Sequence, residues 1–171
     1  MNGTGMGTSH RYFLSLGSNI SPESNLTEAI RGLQGHGRVG QISGVWESHA
    51  IGSPGPNFLN ICVEFWTPLT SDQLKRDVAN RIETQMGRIR SADSSAPRPI
   101  DIDILMVDEQ PLNIERWSHP FVLLPLAELL PQYRHPTEGV PLSTAAQNAE
   151  DRIWIIRRSA EFPGKVLGLE T

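Results

Sequence analysis

Residues 98–105 read Arg-Pro-Ile-Asp-Ile-Asp-Ile-Leu, with isoleucine at 100, 102 and 104 and aspartate at 101 and 103. A period of two is the signature of a pleated strand, whose successive side chains point to opposite faces. Ile100, Ile102 and Ile104 are therefore expected in the core, and Asp101 and Asp103 project together from the other face. The chain must build a sheet around this segment and also accommodate two like charges side by side.

Other strands and two helices surround it. Residues 12–16 predict a short strand ended by Gly17-Ser18-Asn19. Ser21 is a candidate N-cap with Pro22 at the first helical position. Leu26, Ala29, Ile30 and Leu33 then give the spacing of an amphipathic helix, ended by glycines 35, 37 and 40. Residues 41–51 read as a strand, 52–57 as a loop and 58–67 as a buried strand rich in β-formers. Thr70 and Gln73 form a capping-box pattern for a helix over 71–86, with an apolar stripe of Leu74, Val78, Ile82 and Met86 and a stop at Gly87. Residues 88–99 are a polar loop. The segment 121–131 is expected to begin extended and become a short helix after Pro125. A last strand is expected near 152–156.

The order β-α-β-β-α-β, plus a C-terminal extension, is the split βαβ arrangement. It predicts an α+β fold, a ferredoxin-like α/β sandwich with helices packed on a mostly antiparallel sheet. Residues 1–10 read as a Gly-rich tail, 11–158 as a single domain and 159–171 as a C-terminal tail. A length of 171 residues with 38% apolar and 20% charged residues suits a globular protein with a sizeable core. The net charge of −4 argues against a nucleic-acid platform. No apolar run is long enough to span a bilayer, and the N-terminus lacks a signal-peptide pattern. The lone cysteine, Cys62, reads as a small core residue and fits a cytoplasmic setting. No lysine-bearing phosphate loop is present, so any nucleotide is held another way.

Two adjacent carboxylates repel, and burying either without compensation is costly. Asp-x-Asp alone favours an ordinary polar face meeting water. The flanking residues shift that balance, because Arg88 and Arg90 follow a helix end and Arg98 precedes the strand. Three arginines near two carboxylates suit anionic oxygens balanced by a metal. Hard Mg²⁺ prefers such oxygens, and two ions on this pair could clamp a polyphosphate.

The segments "FLSLGSNI", "FLN", "IETQMGRIR", "APRPIDIDIL" and "FVLLPLAELLP" resemble, in order and spacing, those of the 6-hydroxymethyl-7,8-dihydropterin pyrophosphokinase family of folate biosynthesis. The resemblance covers roughly residues 11–131. It implies transfer of pyrophosphate from ATP, the co-substrate, to the hydroxymethyl group of a reduced pterin, with two Mg²⁺ ions held by Asp101 and Asp103. By the same resemblance Arg88 and Arg98 are catalytic arginines, and Arg90 and His119 contact phosphate together with Arg98. Glu83 lies at the nucleotide side, near the helix end, with a solvated helix charge as the alternative. Asn60 reads the pterin's amide edge, and Phe58 and Phe121 stack on its two faces, a role for which plain core packing is the alternative. Ser48, His49 and Ile51 belong to the loop whose backbone borders the pterin. Docking to another folate-pathway enzyme, such as dihydroneopterin aldolase or dihydropteroate synthase, is a further expectation.

Two departures stand out. Ser118-His119-Pro120 runs straight into Phe121, so several residues usual in the family are missing, and an arginine with them. Arg116 is the candidate replacement. The loop also carries small residues where many members have an aromatic near Ser95 and a glycine at Ala96. The alternatives to an active enzyme are a non-catalytic homologue or one that takes a variant pterin.

Overall fold

The computed structural model describes residues 7–51, 54–87 and 98–159. Arg88, Arg90, Ser95 and Ala96, with part of the 52–57 loop and most of the C-terminal tail, lie outside the described residues.

Strand β1 (His10–Ser18) leads into helix α1 (Pro22–Gln34), followed by β2 (Arg38–Ile42), β3 (Val45–Ser48) and β4 (Phe58–Thr67). The single strand expected over 41–51 is instead two strands. The strand breaks at Ser43-Gly44, and both pieces pair with β4, β2 with a register shift between Val39 and Ile42. Ser43 holds the junction: its N–H donates to the Cys62 carbonyl at 2.9 Å and its Oγ accepts from the Cys62 N–H at 2.8 Å. A bulge of this kind depends on the partner strand, which the local sequence does not specify.

The next helical run has three parts: α2 (Ser71–Gln73), a π-helical stretch Leu74–Ala79 and α3 (Asn80–Gln85). Its capping box is present as expected, with Thr70 Oγ1 accepting from Gln73 N–H and Gln73 Oε1 from Thr70 N–H. The π stretch follows from the stripe. Leu74, Val78 and Ile82 repeat every four residues, and a strict four-residue repeat drifts roughly 40° per step on a helix of 3.6 residues per turn. A wider turn takes up that drift. Gly87, at φ +88°, ends the run in a conformation that favours glycine.

Strand β5 (Asp101–Val107) is followed by the short β6 (Gln110–Pro111), a 3₁₀ turn at Ile114–Ser118, helices α4 (Pro120–Leu129) and α5 (Leu142–Ala149), and β7 (Ile155–Arg158). The sheet order is β6-β5-β1-β4-β3-β7, with β2 also on β4. All pairings are antiparallel. β4 lies between β1 and the strands that follow α1, and β1 lies between β4 and β5, which is the interleaved ferredoxin-like pattern.

Helices cover both faces. Tyr12, Leu14 and Leu16 of β1 and Ile102 and Ile104 of β5 pack with α1 and α3 through Leu26, Ile30 and Ile82. Phe13, Cys62, Leu105 and Met106 face the other way, against Trp117, Leu123, Leu126 and Ala145. Fully burying each such large side chain contributes about 1.5–3 kcal/mol.

Three expectations are corrected. Ser21 is left-handed at φ 39° and makes no side-chain cap; its carbonyl accepts from the Asn25 N–H while Asn25 Nδ2 donates to the Ile20 carbonyl. The segment from Phe121 is helical from Pro120 onward, with Pro125 inside the helix. Proline disfavours this position because it lacks the N–H that would bond the carbonyl four residues back. Burial of Val122, Leu123, Leu124 and Leu126 outweighs that cost. The C-terminal extension contributes the unforeseen α5 and an edge strand, β7, that pairs with β3 over Ile155–Arg158, not over 152–156.

Candidate active site

The register of four strands assembles the site on the sheet face covered by α4. Gly17 of β1 lies opposite both Asp101 and Asn60, and Ser15 lies opposite Asp103. Phe58 lies opposite Ser48. A cavity of about 240 Å³ opens over this row. Asp101, Asp103, Arg98 and Arg116 line it at one end; Ser48, His49, Ile51, Phe58 and Asn60 line the other. Ser15 and Gly17 also line it, with His119, Phe121 and Val122 from the start of α4. A Cβ at Gly17 would come within 3.1 Å of Asn60 Oδ1, so the glycine leaves the Asn60 carbonyl open toward the cavity.

At the charged end, Asp101 and Asp103 are mostly buried, at 18% and 17% exposure. Arg98 Nη1 donates to Asp101 Oδ2 at 3.2 Å. Arg116 Nη2 lies 3.0 Å from Asp103 Oδ2 and 3.7 Å from Asp101 Oδ2. Burial, then the neighbouring Asp101, holds the Asp103 carboxyl above the ordinary carboxylate range, against the pull of Arg116 and Lys75. Each carboxylate nevertheless meets a guanidinium, Asp101 that of Arg98 and Asp103 that of Arg116. No cluster of three or more His, Cys, Asp or Glu side chains suited to a metal occurs among the described residues. Two carboxylates with room beside them fit a hard divalent ion that keeps water and phosphate oxygens as its other ligands.

Arg98 is fixed through its backbone: its N–H donates to Asn19 Oδ1 at 2.7 Å, and its carbonyl accepts from the Asn19 N–H at 3.2 Å. Asn19 was not foreseen as a site residue. Its signal is the Gly-Ser-Asn that ends the first strand, but its partner lies 79 residues away and is visible only in the fold.

Glu83 does not line the cavity and is not solvated. It is 1% exposed beneath β5, and its Oε1 accepts from the Ile102 N–H at 2.9 Å. Lys75 Nζ donates to the Ile102 carbonyl at 3.4 Å. β6 pairs with β5 only at Met106 and Val107, so the helical run satisfies the strand edge that β6 does not reach. The residue held this way lies between the two aspartates.

At the other end, Asn60 Nδ2 donates to the Trp46 carbonyl at 3.1 Å and to Ser48 Oγ at 3.0 Å. A backbone carbonyl can only accept, which fixes the amide orientation and turns Oδ1 outward as an acceptor. The His49 ring is hydrogen-bonded to Asn57 Oδ1 at 2.9 Å and stacks on Trp154 at 4.3 Å and 14°. The His119 ring stacks on Phe121 at 5.0 Å and 14°. Burial, then Arg116, lowers the His119 pKa. The His119 backbone caps α4, its carbonyl accepting from Val122 and Leu123 N–H.

A ferredoxin-like sheet carrying a carboxylate pair, arginines and an amide-edged aromatic cavity defines a class of protein that joins an anionic phosphate chain to a flat polar heterocycle. The model of the 7,8-dihydro-6-hydroxymethylpterin-pyrophosphokinase (HPPK) family matches residues 13–131, and the chain belongs to that family. A Synechocystis protein named 2-amino-4-hydroxy-6-hydroxymethyldihydropteridine pyrophosphokinase is 29% identical over 92% of this chain and 86% of its own length. An Aquifex aeolicus protein of the same name is 32% identical over 76% of this chain and 86% of its own length. The wild-type HPPK-DHPS of Plasmodium falciparum, solved with pterin and p-hydroxybenzoate, superposes with a TM-score of 0.63 at 14% identity, over 87% of this chain and 44% of that one. That likeness establishes the fold.

Proposed function

We infer that this chain transfers the β,γ-pyrophosphoryl group of ATP to the hydroxymethyl group of 6-hydroxymethyl-7,8-dihydropterin, giving AMP and the pterin diphosphate, a step of tetrahydrofolate biosynthesis. The observation that carries this reading is the single cavity with Asp101 and Asp103 at one end and Asn60 with two phenylalanines at the other. Relatives that carry the enzyme's name along most of their length support it.

Phe58 and Phe121 offer π-faces to the bicyclic ring, and Asn60 Oδ1 accepts from an N–H on its edge. Ser48, His49 and Ile51 form the wall beside it. Arg98 and His119, with Arg88 and Arg90 from the loop before β5, hold the phosphates. Asp101 and Asp103 would hold Mg²⁺, two ions by the family resemblance; bound there, Mg²⁺ neutralises the triphosphate and stabilises charge developing in transfer. The pterin hydroxyl oxygen bonds to the β-phosphorus as the bridge to the α-phosphate breaks; the hydroxyl proton passes to solvent, and AMP leaves with the bridging oxygen. Alignment of the two substrates in one cavity supplies much of the acceleration.

Bifunctional folate-synthesis relatives, such as one of Arabidopsis thaliana of which this chain spans 26%, support association with a second folate-pathway enzyme. The direct test of the reaction is AMP release from ATP and Mg²⁺ in the presence of the pterin. AMP is expected only when all three are present. Pterin binding by calorimetry with no AMP above the enzyme-free control would sink the reading and favour the non-catalytic homologue.

A further inference from the structure

Arg116 stands where the cations are expected. Its guanidinium reaches both Asp103 and Asp101, at 3.0 and 3.7 Å, and takes carboxylate oxygens that a divalent ion would need. Its backbone sits in a firmly held turn. The Arg116 N–H donates to the Asn113 carbonyl, and Asn113 Nδ2 donates to the Ile104 carbonyl on β5. The neighbouring Trp117 is fully buried, its Nε1 donating to the Leu112 carbonyl, and the Trp117 carbonyl is met by buried His135. The side chain, a third exposed, is therefore the part free to change partners. When an ion takes the carboxylates, this guanidinium loses them, and an incoming phosphate chain offers replacement oxygens.

We propose that Arg116 is an exchanging guanidinium: it neutralises Asp101 and Asp103 in the empty enzyme and moves to the ATP phosphates once metal arrives. This rests on the pyrophosphokinase reading of the site. It makes metal and nucleotide bind as a coupled pair, because an ion alone must displace Arg116 with nothing to receive it, whereas metal-nucleotide supplies the replacement anion. The residue thereby takes over phosphate binding in a chain shortened after His119.

The test is the sign of two affinities. Mn²⁺ stands in for Mg²⁺ as a paramagnetic probe, measured with and without α,β-methylene-ATP. Arg116→Met should bind Mn²⁺ alone about tenfold more tightly and Mn²⁺ with the analogue about tenfold more weakly, the scale of one charge-assisted contact. Arg116→Lys, a single ammonium without the fork, should shift both in the same senses by less, and serves if the methionine variant does not fold. A merely structural arginine moves both affinities in one direction or neither, and either result overturns the proposal. Asp103→Asn separates the two readings. If it leaves Mn²⁺ binding intact, the metal assignment of the carboxylates is wrong; if it abolishes binding while the Arg116 variants show no opposite shifts, the exchange alone is wrong.

Discussion

Replacing Glu83 tests whether the aspartate strand is held from below. Glu83 accepts the Ile102 N–H at 2.9 Å on an edge that β6 does not cover, and the site is 1% exposed. Glu83→Ala leaves a buried donor without its partner, at about 1–3 kcal/mol. The emptied space adds about 1 kcal/mol. The middle of that range is about 3 kcal/mol, and a chain of this size loses about 3 °C of melting temperature per kcal/mol, so the midpoint should fall by about 9 °C. Glu83→Gln keeps an acceptor at the same reach and should recover most of the loss. Calorimetry reads the midpoints, and amide exchange at Ile102 reads the bond itself. Ile102 lies between Asp101 and Asp103, so loosening its anchor should also weaken Mn²⁺ binding about tenfold, the lower end of the loss when a metal ligand's own support is removed. An alanine variant melting within about 1 °C of the parent, or a glutamine variant as weak as alanine, would refute the reasoning.

Two further outcomes are expected. Burial alone raises the Glu128 carboxyl, but hydrogen bonds from Arg157, the Gly44 N–H and Trp46 Nε1, at 2.7–2.8 Å, outweigh it and hold the pKa below the usual value. Its contribution is therefore full above the unfolded carboxylate pKa of about 4.3 and is lost as pH falls through the lower folded value. The melting gap between parent and Glu128→Gln should be widest near neutrality and close in acid; a gap independent of pH contradicts this. Trp154→Ala removes the ring stacked on His49, a contact worth about 0.5–1.5 kcal/mol, and should weaken pterin binding roughly two- to tenfold while leaving ATP affinity unchanged in calorimetry.

What the sequence made legible follows from where the physics is local. Strand β4 is bounded where its apolar β-forming run is bounded, at Phe58 and Thr67, because it is buried nearly throughout. The capping box at Thr70 and the opposed faces of Asp and Ile in β5 are likewise set within a few residues. Ten of the expected site residues, from Ser48 to Phe121, meet on one cavity. The misreadings lie where distant contacts decide. Pro125 in α4 is tolerated only because its neighbours are buried between the sheet and α5. Residues 142–149 present a helix face of one leucine and small alanines, too faint a stripe to read without its partner. The burial of Glu83 beneath β5 was not legible either, because its acceptor role depends on β6 stopping short.

The shortened segment before Phe121 is the clearest case of a sequence gap with a structural answer. Pro120 begins α4 directly and His119 serves as its cap, so no loop separates the preceding 3₁₀ turn from the helix. With Trp117 packed fully inside, Arg116 is directed outward over β5, within reach of both aspartates. A guanidinium is thus presented to both carboxylates from the turn before His119. A turn anchored by Trp117 and Asn113 holds positive charge within reach of the aspartate pair.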